Sequence, residues 1–151
     1  MADMLASGEL AAAIGVEASS PDVKPLIPNA LEAGLAALRR NGHYPINHTV
    51  VVKDELLAAR PDLAADVFDA FAEAKRRYVD RLKAGKIEAP TDVDEVHRRV
   101  MEITGDPLPF GIAPNRRMID ELIAHALTQG IITKPVTADE LFASGTRDLV
   151  G

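Results

Sequence analysis

Gly42-His43-Tyr44-Pro45-Ile46-Asn47-His48-Thr49-Val50-Val51-Val52-Lys53 is the stretch around which the rest of the chain is organised. It leaves a glycine stop and passes a proline whose ring fixes φ. It then enters a β-branched run of the kind that packs well on a pleated surface. The pattern predicts a central strand. His43, Tyr44, Asn47 and His48 stand at its entrance, where a strand leaving a loop presents side chains to a ligand.

Upstream of that strand, Leu31, Leu35 and Leu38 share one helical face from near Asn29 onward, with Arg39 and Arg40 in the last turn beside the negative end of the helix dipole. Earlier still, the apolar run at 10–14 between Gly8 and Gly15 predicts a short buried strand, and the proline-bearing segment 16–28 a connection. Downstream, Asp54 and Glu55 open a short helical turn that ends before Pro61. The strongest helical pattern follows, with Leu63, Val67, Phe71, Ala74, Tyr78 and Leu82 as the expected buried stripe and Phe71 as its most sensitive member. Thr91 with Asp94 marks a helix start, and Val93, Val96, Val100 and Ile103 mark its apolar face. The segment 106–114 holds Pro107, Pro109 and Pro114, which makes it an irregular loop of fixed shape. Helix is expected again from Asn115 to Gln129, and a last short turn is capped by Thr137 with Glu140.

Composition narrows the function classes. The 151 residues, 47% hydrophobic and 26% charged, suit one ordinary globular unit. A net charge of -6 and the lack of a basic, aromatic-interleaved patch argue against a nucleic-acid partner. No cysteine is present, so thiolate chemistry and disulfides are excluded. No apolar run reaches membrane-spanning length, and the start lacks the pattern of a secretory signal, so the chain as given is expected to be cytoplasmic. With two strands among several amphipathic helices, the expected sheet is incomplete, because a two-stranded sheet rarely supports itself.

Three groups of residues carry candidate chemistry. His48 reads either as a proton donor to a ligand or as a strand histidine bonded to neighbouring backbone. Arg116 follows the rigid proline loop in what reads as the first turn of a helix, where a cation is disfavoured unless an anion is held there. The plainer alternative is an ion pair of Arg116 or Arg117 with Asp120 or Glu121. Asn115 reads as the helix cap, His97 as a solvated histidine on a charged helix face. His43 with His48, and Glu121 with His125, lack a recognised metal spacing, so no metal is assigned.

The strand Tyr44-Pro45-Ile46-Asn47-His48-Thr49, the helix stretch Ala70-Phe71-Ala72-Glu73-Ala74-Lys75, the loop Pro109-Phe110-Gly111 with Asn115-Arg116, then Gln129-Gly130 and Glu140-Leu141-Phe142 together resemble the C-terminal half of the 4,5-dihydroxyphthalate decarboxylase family over nearly the whole chain. The resemblance implies a helix-rich α/β fold, the C-terminal portion of a two-lobed type 2 periplasmic solute-binding-protein-like architecture about twice this length. Residues 1–28 would be a hinge strand and connection, and 29–151 helices plus the central strand. It also implies non-oxidative loss of CO2 from a dihydroxylated aromatic dicarboxylate with no cofactor. His48 would act as proton donor, and Tyr44, Asn47, His48, Asn115 and Arg116 would bind the substrate, a small anionic aromatic or carboxylate ligand. Ala11 stands where the family has Asp in its Gly-Glu-Ile-Asp-Ala segment. The alternative from the same resemblance is a transporter-type solute-binding module, periplasmic if a signal-bearing first half precedes it. As an isolated fragment the chain would be inactive and would self-associate through its unpaired sheet edge.

Overall fold

The computed structural model describes residues 1–17 and 20–151. Along the chain run α1 (Ala2–Ala6), α2 (Ala30–Asn41), α3 (Asp54–Ala59), α4 (Leu63–Lys83), α5 (Asp92–Thr104), α6 (Ile112–Thr128), α7 (Ala138–Leu141) and a 3-10 turn at Ser144–Thr146. The helix-rich expectation holds, but among the described residues there is no strand. The chain divides into two compact units, Met1–Gly34 and Leu35–Gly151, and the division falls within α2.

The first unit has no buried residue among those described. The run at 10–14, expected as a buried strand, is irregular, bent chain after α1, and Ile14 is 99% exposed. A short apolar run forms a strand only where a neighbouring strand takes up its backbone N–H and C=O groups, and none does so here.

The second unit carries the core. Leu35 and Leu38 of α2 pack with Val100 of α5, and Tyr44, Val96 and Ile103 close around them. A second cluster joins Ile112 and Ile119 of α6 to Ala138 of α7, with Ile46, Ile123 and Phe142 against it. The segment 42–53 is therefore a connector between two clusters and not a central strand. Tyr44 reaches one cluster and Ile46 the other, with Pro45 and Asn47 exposed between and beyond them. That alternation is the period of extended backbone, so the local geometry matches the expectation while the pairing does not. Past Ile46 the β-branched run lies largely open to solvent, Val51 at 87% exposure. Conformational preference alone does not make a sheet when the partner strand is missing.

Helix α4 is present over the expected range, but its buried face is rotated. Ala72, Val79 and Leu82 are buried and the Lys75 side chain is 8% exposed, whereas Phe71 is 50% exposed. The spacing 72, 75, 79, 82 is as helical as 71, 74, 78, 82. A lysine at its centre hides this stripe from any count of apolar residues. Helix α5 starts as expected: Thr91 N–H donates to Asp94 Oδ2 at 2.7 Å, and the Asp94 N–H returns a bond to Thr91 Oγ1. The reciprocal cap of Thr137 with Glu140 opens α7.

Helix α6 begins a turn earlier than expected. Gly111 caps it at φ 104°, and Pro114 fits within the first turn because an N–H at that position has no intrahelical partner. A Cβ on Gly111 would lie 2.2 Å from the Leu149 carbonyl oxygen, so a side chain there has no room. Beside it, Phe110 and Gly151 exchange reciprocal backbone hydrogen bonds at 3.2 and 3.3 Å, which ties the last residues of the chain to the proline loop.

Candidate functional site

An open groove of about 470 Å³ in the second unit runs between the end of α2, the end of α5 and the start of α6. Its walls are mostly apolar, from Leu38, Ile103, Pro109, Pro114 and Met118. Arg39, Tyr44, Thr104, Asp106 and Asn115 supply its polar groups. Small-ligand sites commonly pair such apolar walls with a few polar groups.

Hydrogen bonds fix the proline loop that forms one wall. Tyr44 Oη donates to the Pro107 carbonyl at 2.8 Å, and the Asn115 amide donates to the carbonyls of Pro109 and Gly111 at 2.8 and 2.9 Å. Leu108 N–H donates to Asp106 Oδ1 at 3.0 Å, an Asx turn. Lys75 Nζ donates to Asp106 Oδ2 at 2.6 Å and to the Gly151 carbonyl at 2.5 Å, and lies 5.3 Å from the centre of the Phe110 ring. Burial, and then the Asp106 carboxylate, raise the Tyr44 hydroxyl above its ordinary value, so Tyr44 is a neutral donor across the working pH range.

The expected site residues separate. Tyr44 and Asn115 line the groove, Tyr44 packed on the first core cluster. Asn115 is a brace for the loop in the first turn of α6 and not its cap. Asn47 and His48 are exposed on the connector and do not line the groove. Arg116 falls in the second turn, because α6 starts early, and pairs with Asp139 at 3.0 Å on the surface. Arg117 pairs with Glu121 at 3.0 Å, one of the pairings anticipated, and also donates to the Asn41 carbonyl. Arg116 is therefore not a first-turn cation, and its partner is the Asp139 carboxylate.

In the sequence Arg39 is only a charge placed to suit the dipole at the end of α2. In the structure it lines the groove, and its guanidinium is paired with no carboxylate among the described residues. Its position in the last turn is legible from spacing, but its neighbours from distant parts of the chain are not. A smaller hollow beside the connector brings together His43, Glu121 and His125 over Pro45, Ile46, Met118 and Leu122. His43 Nδ1 lies 3.6 Å from Glu121 Oε2. Among the described residues no three His, Asp or Glu side chains converge closely enough to hold a metal ion.

His97 is the other departure. It is half-buried against α4 and not free on a charged face, its Nδ1 2.8 Å from Tyr78 Oη, with the two rings edge to face at 5.6 Å. Tyr78 Oη donates to Asp94 Oδ1 at 2.7 Å, and Asp94 is buried. The Thr91 backbone, the Tyr78 hydroxyl and the Thr91 hydroxyl hold the Asp94 carboxyl down at about 2. Burial followed by the Asp94 bond pushes Tyr78 up to about 12, and burial lowers His97. The sequence signal is half there, since Thr91 and Asp94 announce the cap, but nothing in it joins them to Tyr78.

No helix among the described residues is long and apolar enough to cross a membrane. No protein-family model and no solved structure matches the chain. A curated relative, the 4,5-dihydroxyphthalate decarboxylase of Comamonas testosteroni, is 27% identical over 151 aligned positions, which take in 94% of this chain and 46% of the relative. The chain thus spans about half the length of that protein and is distantly similar to it along nearly all of its own.

Proposed function

We propose that this chain is the C-terminal part of an aromatic carboxylate decarboxylase and supplies one wall of the substrate site. The likeness to 4,5-dihydroxyphthalate decarboxylase over 94% of the chain is the observation that carries this reading. The missing wall, and the strands that would complete a two-lobed solute-binding-type fold, would come from the portion of such a protein that this chain does not match.

The groove suits the chemistry. Its apolar walls and the Tyr44 ring accept an aromatic body, and Arg39 offers a bidentate fork to a carboxylate. Lys75 neutralises Asp106, which would otherwise repel an anion. In the reaction the ring carbon bearing the leaving carboxylate takes a proton. The C–C bond electrons then return to the ring as CO2 departs. The protein needs to supply an acid and charge complementarity. In this proposal Arg39 holds the retained carboxylate, and the acid is supplied by the portion of such a protein that this chain does not match, since His48 lies outside the groove.

Titrating 4,5-dihydroxyphthalate into the ¹⁵N-labelled chain tests the assignment. Shifts should concentrate at Arg39, Tyr44, Thr104 and Asn115, and Arg39→Ala should weaken binding by about tenfold or more, the size expected for one charge-assisted pair. Labelled CO2 should be released only when the segment of the Comamonas protein not covered by this chain is added. Binding that ignores the groove, or that survives Arg39→Ala unchanged, rejects the site.

A further inference from the structure

We propose that Asp94, Tyr78 and His97 form a proton-accepting relay that locks His97 as the Nδ1–H tautomer and leaves its Nε2 lone pair as the base. Two short contacts fix where the protons lie. Tyr78 Oη has one hydrogen and two neighbours, Asp94 Oδ1 at 2.7 Å and His97 Nδ1 at 2.8 Å. An ionised carboxylate only accepts. Asp94 is held ionised by its environment, since its other oxygen takes both the N–H and the hydroxyl of Thr91 at 2.7 Å. If Tyr78 gave its hydrogen to His97, two oxygens bearing only lone pairs would face each other at 2.7 Å in a partly buried place, which is costly. Tyr78 therefore donates to Asp94, and the hydrogen of the second contact must come from His97 Nδ1. The neutral ring then carries no hydrogen on Nε2.

The logic is that of a carboxylate orienting a catalytic imidazole, with a tyrosine hydroxyl placed between them. Protonation at Nε2 adds a charge and breaks neither of the two contacts. The relay thus takes up a proton without unlatching α4 from α5. The charged and titratable groups that act on it are Asp94 and Arg98 from α5 and Tyr44 from the connector, with Arg98 itself held by Glu95. His97 is half-buried, so the cluster is not sealed from solvent.

Long-range ¹H–¹⁵N spectra of the labelled full chain at about pH 7.5, a unit above the ordinary histidine value, decide the matter. The expected result is Nδ1 of His97 protonated and Nε2 bare, the reverse of the tautomer that free imidazole side chains prefer. In Tyr78→Phe, with the fold checked by the backbone spectrum, His97 should move to the ordinary Nε2–H form. An Nε2–H ring in the unmodified chain overturns the proposal whatever the variant does. A folded Tyr78→Phe protein that keeps the Nδ1–H tautomer overturns the role of Tyr78.

Discussion

Lys75 Nζ and Asp106 Oδ2 stand 2.6 Å apart with unequal exposure: the lysine side chain is 8% exposed and the aspartate side chain 41%. The inequality ranks the two ways of breaking the pair. Lys75→Met leaves a carboxylate that water can reach and fills the space with a thioether chain. Asp106→Ala leaves a buried ammonium with the Gly151 main-chain oxygen and the face of the Phe110 ring but no side-chain carboxylate. The second variant should lose more stability, about 3 kcal/mol against about 1 to 2 for the first, by denaturant unfolding. Equal losses would mean that the cost lies in packing and not in the stranded charge.

The rotated face of α4 makes a second ranking. Leu82→Ala should cost about 2 to 4 kcal/mol, because Leu82 is buried. Phe71→Ala should cost under about 1 kcal/mol, since half of that side chain is already in water. Thermal unfolding of the two variants measures the difference, and the opposite order would put the stripe back where apolar spacing first places it.

At Gly111 two penalties coincide, a left-handed φ and a missing space against Leu149. Gly111→Ala should destabilise by more than about 2 kcal/mol and loosen the pairing of Phe110 with Gly151, visible as faster amide exchange at both residues. Gly145, whose Cβ would meet nothing, should accept alanine with little change.

The Asp94–Tyr78–His97 cluster sets the pH limits. Asp94 has a folded-state value of about 2, below its unfolded one, so the unfolded chain binds protons first. Its contribution is present above about 4 and is lost as pH falls toward 2. His97 is lowered as well, so stability begins to fall as pH drops below about 6.5 and levels once the folded ring is charged. Tyr78 is raised to about 12, so the folded chain holds that proton longer, and stability is lost as pH rises from about 10 to about 12. Denaturant midpoints across the pH range should show both flanks, and Tyr78→Phe should remove most of the alkaline one.

How much of this is visible in the sequence depends on the range of the interaction. Caps at Thr91 and Thr137, the extents of α3 and α4, and the glycine stops are legible because each is settled within about four residues. The strand expected within 42–53 fails for the converse reason: β-branching at Val50, Val51 and Val52 states a backbone preference, while pairing depends on residues elsewhere. The groove shares both features. Asn115 and Tyr44 stand out by position next to prolines, but Arg39, Thr104 and Asp106 enter only because α2, α5 and the proline loop meet.

Tyr44, Pro45 and Ile46 separate two hollows, Tyr44 on the wall of the larger and Pro45 with Ile46 on the wall of the smaller, while Met118 borders both. Three consecutive residues with a rigid ring in the middle thus act as a spacer gauge between the two apolar clusters. The separation of the clusters is therefore set by one extended tripeptide, whose rigid middle ring resists shortening.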